Sequence, residues 1–552
     1  MEEFDAVIIG SGVGGLATAI CLAKAGKRVV VLEQHYVPGG WSHSFTLNSQ
    51  RFSPGVHYVG LIEEGQSTNE LYKQLGIAND MVFFRMNPKA YEHCLINGEM
   101  IDLPSGIENL KVTLAKRFPK EEKNINEYLS LVEKVSYELQ LMPKLKGLWQ
   151  KITVPFRTKH FGKFALFPLK KVVGWHVKDP LLKAVLNIQC GDHGLPPKRA
   201  CFPVHCSVMS HYFDGGFYPM GGGGGIVKAM TNGVKRHGGE VRVKQHVEKI
   251  LIEDKKAVGV QLKDGSIIKA PIIVSNADPS ITFLNLVGKE HLSISLQKKL
   301  AKTKYSVTSL ILFLTLDMDV TQFGIDSGNI WYMKDENIDG HFEDLMTNDI
   351  TAGDEFPAMF ISCTTIKDPV SFNGRFHNFE VVTYVDYKSI QEFNGKEDYH
   401  DEAYLIFKEK IIQKLLNTIE RIIPGAKQNI VQAELGTPKT NEFYVNSTDG
   451  NVYGTEKTLN QVGPFSYKNK SEIQNLYLCG ASTLSHGVGG ATHSGVAAAA
   501  VILNCAKDDL LADNPTQHLR IYDAEDSTTW PDWVNVKRSD KVRNFKKIKK
   551  VV

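Results

Sequence analysis

Residues 4–15 read FDAVIIGSGVGG, and the fold is decided there. Positions 6–9, AVII, are a short β-branched apolar run of the kind that forms a buried parallel strand. The run passes directly into a G-x-G-x-x-G carried by Gly10, Gly12 and Gly15, with Ser11, Val13 and Gly14 between them. A helix-forming stretch, 16–25, stops at Gly26. A second strand-like run, 28–32, ends at Glu33, 18 residues past Gly15. Strand, glycine turn, helix, strand and acid in this order are the setting in which the motif binds a dinucleotide. The first glycine permits the tight turn, the second lets backbone approach a pyrophosphate, and the third lets helix pack on strand. The helix N-terminus faces the phosphates, and Glu33 is placed to accept hydrogen bonds from a ribose.

The bulk properties narrow the rest. At 552 residues the chain has room for two or three domains. Its composition is 42% apolar and 23% charged with a net charge of +3, an ordinary globular balance with no electrostatic footprint for nucleic acid. Cys21, Cys94, Cys190, Cys201, Cys206, Cys363, Cys479 and Cys505 form no CxxC pair, which points to a reducing compartment and to no metal site. Cys201, His205, Cys206 and His211 follow none of the common zinc spacings. No stretch reaches 18 consecutive apolar residues, and the N-terminus is acidic and lacks a basic leader region. The expectation is a cytoplasmic protein without signal peptide or spanning helix, resting peripherally on a membrane surface.

Along the chain, Gln34 is followed by Gly39-Gly40-Trp41-Ser42, glycines that permit backbone approach to a second portion of a long cofactor. Residues 51–60 read as a strand with a turn at Pro54-Gly55, followed by His57 and Tyr58. Helices are expected at 69–76, 107–118 and 125–141, with a hairpin around Asn97-Gly98 at 90–103. Residues 142–183 interleave Lys and Arg with Leu, Phe, Trp and Val, and carry no acid from 143 to 178, a composition suited to an anionic membrane surface. A glycine run at 221–225, read as lacking a preceding strand, opens a helix at 226–237. Strands are expected at 239–252, 257–262, 266–270, 272–275, 305–316 and 376–387, with a polar turn at 362–369. An amphipathic helix at 404–423 stops at Pro424-Gly425. Near the C-terminus, LYLCGA (476–481) reads as a strand ending in Gly480 and Ala481. A glycine loop with Gly489, Gly490 and Ala491 then opens a small-residue helix. Residues 507–552 read as a polar basic tail, with eight basic side chains from 537 to 550 against Asp540.

The acid followed by Gly39-Gly40 resembles the two-dinucleotide-binding-domain flavoproteins. Within them, QCGDHGLPP (189–197) and HYFDGGFYPMGG (211–222) resemble the retinol saturase branch of the phytoene desaturase family, with prolycopene isomerases as close neighbours. The resemblance spans nearly the whole chain. It implies an α/β fold: a Rossmann-type FAD-binding domain assembled from 1–65, 216–285 and 436–505, with an inserted α+β substrate domain from 66–215 and 286–435, and a C-terminal extension from 506. It also implies that His57 and Tyr58 return beside the flavin, that the backbone of Val247 contacts the adenine, and that Gly480 to Ala491 close the flavin half of the site.

The implied activity is flavin chemistry on a C=C bond of a lipophilic polyene: saturation of a retinoid, with carotenoid isomerisation and desaturation open on the same scaffold, as is a membrane-associated FAD-binding protein without turnover. No second fingerprint for NAD(P)H is present, so a nicotinamide donor would bind transiently. His57, His211, Tyr212 and His493 are candidate proton donors, each also readable as a structural residue.

Overall fold

Strand β1 (Ala6–Ile9), helix α1 (Val13–Lys24) and strand β2 (Val29–Leu32) form the expected βαβ unit, with Ala6 opposite Val29 in parallel register. Both strands are buried along their whole length, as a parallel strand covered on both faces must be. The computed structural model describes residues 2–142, 153–347, 349–393 and 401–549. Helix α2 (Gly223–Arg236), β3 (Glu240–Arg242), β4 (Ile273–Ser275), β5 (Leu476–Leu478) and α3 (Gly487–Leu503) complete the unit. The central sheet is all parallel in the order β3-β2-β1-β4-β5. Three of its five strands therefore lie more than 200 residues from β1 in sequence.

Helices α1 and α3 cross at glycines. A Cβ on Gly495 would stand 2.1 Å from the Gly14 carbonyl oxygen, and Thr18 Oγ1 shares its hydrogen between the carbonyls of Gly14 (2.9 Å) and Gly495 (3.0 Å). Gly15 plays the packing role its place in the motif predicts, since a Cβ there would lie 2.3 Å from the Gly10 carbonyl oxygen.

Beyond the central sheet stands a mixed seven-stranded sheet. Its order is Ile430–Gly436, Thr308–Leu316, His377–Val385, Ala358–Cys363, Asn329–Met333, Glu92–Ile96 and Glu99–Leu103. Thr308–Leu316 and Ala358–Cys363 are largely apolar and buried throughout because the largest hydrophobic cluster of the protein covers them.

Several expectations need correcting. The stretch 239–252 is two strands. Lys244 takes a left-handed conformation (φ 57°), and the chain leaves the central sheet to start Val247–Glu253 in a separate four-stranded sheet. Of 51–60 only Gln50–Phe52 is strand, in a hairpin with Phe45–Leu47. A short strand, Phe217–Pro219, does precede the glycine run, but it pairs with Val82–Arg85 outside the central sheet, and the run itself becomes the first turn of α2. The glycine loop at 487–491 is likewise the first turn of α3. Residues 362–369 are the end of a strand and a buried helical turn, Thr364–Lys367.

The basic extension is no tail. Arg520–Asp523 adds in parallel to Val82–Arg85, and Trp530 and Val534 are buried against Val82, Phe84 and Ala524 at the start of the helix Asp532–Lys549. The apolar residues scattered among its charges supply that anchor, which a count of basic residues hides. Residues 550–552 lie outside the described residues. So do 143–152 of the candidate membrane segment, whose remainder forms short helices at Val154–Arg157, Lys159–Phe164 and Leu169–His176.

Candidate functional site

A long cleft runs across the C-terminal ends of β1, β2, β4 and β5, where ligands bind in open parallel sheets. Its walls include Gly10, Ser11, Gly12, Val13, Gly14, Glu33, Gln34, Gly39, Gly40, Trp41, Ser42, Val247, Gly480, Ala481 and Ala491. These residues, from six separate stretches of sequence, are thus brought together. Gly15 sits behind the turn as a packing residue. Gly489 and Gly490 lie on α3 but do not line the cleft; a Cβ on Gly490 would meet Ser485 Cβ at 2.7 Å. Sequence reasoning missed Asn276, Ala277 and Asp278, which follow β4, and the 444–447 and 451–454 segments. Asn276 was within reach of the strand-end rule, because it directly follows the buried run 272–275. A Cβ on Gly12 would lie 2.4 Å from its side-chain nitrogen.

The electrostatics of the cleft come from backbone. Among the described residues no Lys or Arg lines it. Helices α1 and α3 both begin at the cleft with no side-chain cap and no acid in the first turn. Their first N–H groups have no intrahelical partner, and two positive dipole ends converge on one space. Glu33 is pre-oriented: Oε2 accepts from Ser11 N–H (3.0 Å) and Ser11 O–H (2.5 Å), and Oε1 from His35 N–H (2.9 Å). Ser11 Oγ in turn accepts from Gly39 N–H (2.9 Å), tying the acid to the Gly-Gly pair. A carboxylate offers about four acceptor positions, so one remains for a ligand hydroxyl. Glycines where a side chain would collide, uncapped helix ends and a held acid fit a bound dinucleotide with an anionic pyrophosphate.

His57 and Tyr58 stand elsewhere. They line a second cavity with Trp41, Gly55, Asp192, Trp331, Phe360, Tyr384 and Tyr453, among other residues. Trp41, Gly55, Val452 and Tyr453 line both spaces, so the second cavity begins where the cleft ends. His57 Nδ1 faces Glu380 Oε2 at 2.9 Å, and its carbonyl accepts from the buried Lys367 Nζ at 2.9 Å. Burial pulls Lys367 down to about 7.

The other candidate proton donors are used structurally. His211 Nε2 accepts from Gly60 N–H at 2.9 Å, and burial lowers the imidazole to about 4, so it stays neutral. Tyr212 stacks on Tyr58 with ring centroids 4.1 Å apart, and neither Tyr212 nor His211 lines the second cavity. His493 lines neither space, and burial lowers it to about 4. Among the described residues, Cys201, His205, Cys206 and His211 do not converge as a set; His205 Nδ1 instead meets His193 Nε2 at 3.3 Å.

From the wall of the cavity inward runs a polar group that the sequence did not disclose. Tyr58 Oη is 2.6 Å from Glu92 Oε1 and 2.7 Å from Asp192 Oδ2. Glu92 also accepts from Trp331 Nε1–H (3.0 Å) and Gln189 Nε2–H (3.0 Å). Burial, then the mutual repulsion of the two carboxyls, raises Asp192 well above the usual carboxylate range; burial also raises Glu92.

Comparison with known proteins agrees with the geometry. Residues 8–75 match the family model of the NAD(P)-binding Rossmann-like domain, and residues 357–503 that of flavin containing amine oxidoreductase. All-trans-retinol 13,14-reductase of Danio rerio is 30% identical over 527 residues, covering 91% of this chain and 86% of that protein. Chloroplastic prolycopene isomerase 2 of an Oncidium hybrid cultivar is 28% identical, covering 90% and 83%. In fold, the crystal structure of an oxidoreductase from Methanosarcina mazei superposes with a TM-score of 0.60 at 17% identity, covering 90% of this chain and 99% of that one. The chain belongs to the family of flavin-dependent oxidoreductases that contains the all-trans-retinol 13,14-reductases and the prolycopene isomerases.

Proposed function

We propose that this protein is an FAD-dependent oxidoreductase that reduces one C=C bond of a lipophilic polyene, a retinoid or a carotenoid-like molecule. The observation that carries the reading is the shared wall: the dinucleotide cleft gives way at Trp41, Gly55, Val452 and Tyr453 to a cavity walled by aromatic and aliphatic side chains.

In this reading Gly10 to Gly14 and the start of α1 hold the pyrophosphate, Glu33 and Gln34 the adenosine ribose, and Val247 the adenine edge. Gly480, Ala481, Val488 and Ala491 lie against the flavin half, where the α3 N-terminus favours negative charge. FAD supplies hydride transfer when bound. The protein holds it, excludes water with Trp331 and Phe360, and orients an apolar chain. Electrons enter through a nicotinamide that binds transiently, or through another carrier. Domain assignment follows the same logic: 1–65, 216–285 and 436–505 bind the cofactor, and the two insertions build the substrate chamber. All eight cysteines are free, which supports a reducing compartment.

The substrate would arrive from a lipid surface. No described helix is long and apolar enough to cross a membrane. Phe156, Leu166 and Trp175 are 81%, 78% and 56% exposed beside the exposed Lys159, Lys163 and Lys171, while Leu169, Val172 and Val173 of the same segment face the core. Apolar tips among cations suit the headgroup boundary. Changing the three tips to Ser should abolish sedimentation with anionic vesicles at unchanged thermal stability; unchanged sedimentation would remove the membrane role.

The test of the main reading is the purified protein. It should carry a flavin absorption spectrum and, once reduced, convert all-trans-retinol to a product heavier by two hydrogens. An unchanged mass with a shifted spectrum on a poly-cis carotenoid would select isomerisation, which the 28% identity to a prolycopene isomerase also supports. Loss of two hydrogens would select desaturation. Bound flavin that no polyene oxidises or reduces would leave a binding protein, and absence of flavin would overturn the reading.

A further inference from the structure

We infer that Asp192 is the acid that protonates the substrate. The inference rests on the reductive reading above and adds a residue to it. Saturating a C=C bond adds one hydride and one proton. The hydride, with its electron pair, comes from a reduced flavin; the electron pair left on the neighbouring carbon needs a proton from the protein or from water.

The geometry assigns that proton. Tyr58 has one phenolic hydrogen but stands within hydrogen-bond distance of two carboxyl groups, Glu92 Oε1 at 2.6 Å and Asp192 Oδ2 at 2.7 Å. It can donate to only one of them. The other contact is a hydrogen bond only if that carboxyl is protonated and donates to the phenolic oxygen. Glu92 already accepts from Trp331 and Gln189, two further donors that stabilise a carboxylate. Among the described residues no donor other than Tyr58 reaches the Asp192 carboxyl. Tyr58 therefore donates to Glu92, which is the carboxylate, and Asp192 is the neutral acid.

Asp192 also has the right address. Of the two carboxyl groups, Asp192 lines the apolar cavity, whereas Glu92 lies behind Tyr58 and Trp331 with no accessible surface. Among the described residues, the ionisable groups around Asp192 include Tyr91, Tyr212, Tyr384, Tyr453 and Cys190, all held protonated by burial, and His486, whose Nε2 bonds the Asp192 carbonyl at 2.9 Å and which burial keeps neutral; His57 lines the same cavity but is paired with Glu380. Among the described residues no cation hydrogen-bonds its carboxyl to favour ionisation. A carboxylic acid shielded from water beside a carboxylate keeps its proton and releases it when a stronger base, a carbanion-like centre, forms beside it. The O–H bond breaks, a C–H bond forms, and the Asp192 carboxylate regains its proton from water after product leaves.

Two measurements test this. The ligand-free protein should show the infrared carbonyl stretch of a protonated carboxylic acid, moved in D2O, lost in Asp192→Asn and displaced in Asp192→Glu. This readout needs neither substrate nor turnover. In single-turnover reduction with prereduced flavin, Asp192→Asn should be slowed about 100-fold at unchanged flavin content, within the range for one general acid, and Asp192→Glu should recover most of the rate. Should Asp192→Asn fail to fold, the displaced band and retained rate of Asp192→Glu carry the test. A band that persists in Asp192→Asn, or a wild-type rate in that variant, would overturn the inference. Wild-type protein that binds flavin yet reduces no polyene would instead overturn the functional reading, and the role of Asp192 with it.

Discussion

Adding one methyl group at Gly495 should loosen the cofactor site from behind. In the Gly495→Ala protein the new Cβ would stand 2.1 Å from the Gly14 carbonyl oxygen and 2.9 Å from the Ala17 Cβ, so α1 and α3 must separate by about 1 Å to restore ordinary contact. Overpacking of this kind costs about 1–3 kcal/mol. Stretching the Thr18 bond to the Gly495 carbonyl adds about 1 kcal/mol, for a total of about 2–4 kcal/mol. At about 2.1 cal/mol/K per residue, cooperative unfolding of 552 residues carries roughly 1.2 kcal/mol/K, so the melting temperature should fall by about 2–3 °C. Binding should suffer more than stability. The shift moves two helix N-termini that face one ligand, and losing one charge-assisted bond, about 1.5–3 kcal/mol, weakens flavin affinity by about tenfold to a hundredfold. Equilibrium dialysis against FAD and differential scanning calorimetry read the two effects. Gly26→Ala is the control: Gly26 has φ +78° with open space around it, so alanine there costs about 1 kcal/mol of backbone strain without moving α3. If Gly495→Ala binds flavin as tightly as wild type, the helix crossing does not position the cofactor.

Glu33→Gln replaces one acceptor oxygen by an amide donor that faces Ser11 or His35, so FAD affinity should fall by about tenfold to a hundredfold in the same dialysis assay. Burial disfavours charge on His93, but Asp102 (2.7 Å) and Asp326 (3.0 Å) outweigh it and lift the imidazole to about 9. A folded value above the unfolded 6.5 means the contribution is full below pH 6.5 and is lost as pH rises through about 9. It amounts to about 3 kcal/mol, so the stability gap between wild type and His93→Gln in urea titrations should close between pH 6 and 10. Ending the chain at Leu519 strips the edge partner from Val82–Arg85 and removes Trp530 and Val534 from Phe84. The loss is about 3–6 kcal/mol, and sedimentation should show aggregation; a stable monomer would refute the anchoring role.

What the sequence made legible was local. The pattern from Ala6 to Glu33 prescribes its own backbone, because turn, helix and acid are set by near neighbours, and the 90–103 hairpin followed from Asn97-Gly98 in the same way. Asp192 was in view inside QCGDHGLPP, yet nothing in that stretch shows that Tyr58 and Glu92, 134 and 100 positions earlier, would meet it. Lys367 sat in a segment read as a polar turn; its burial depends on Asn329 and Ser362 from two strands and on the His57 carbonyl from a loop. The C-terminal strand was invisible because parallel pairing to residue 82 leaves no local turn signal.

The Thr18–Gly495 contact joins positions 477 apart, and it has a consequence for how the protein is made. A ribosome adding about 5–20 residues per second needs roughly 25–95 s to travel from one partner to the other. Through that interval the cleft is incomplete: Val247 and Asn276 are added only about halfway along, and Gly480, Ala481 and Ala491 only at its end. Closure of the cleft is therefore a late event in synthesis, and cells short of flavin should accumulate chains that are fully synthesised but incompletely closed and open to proteolysis.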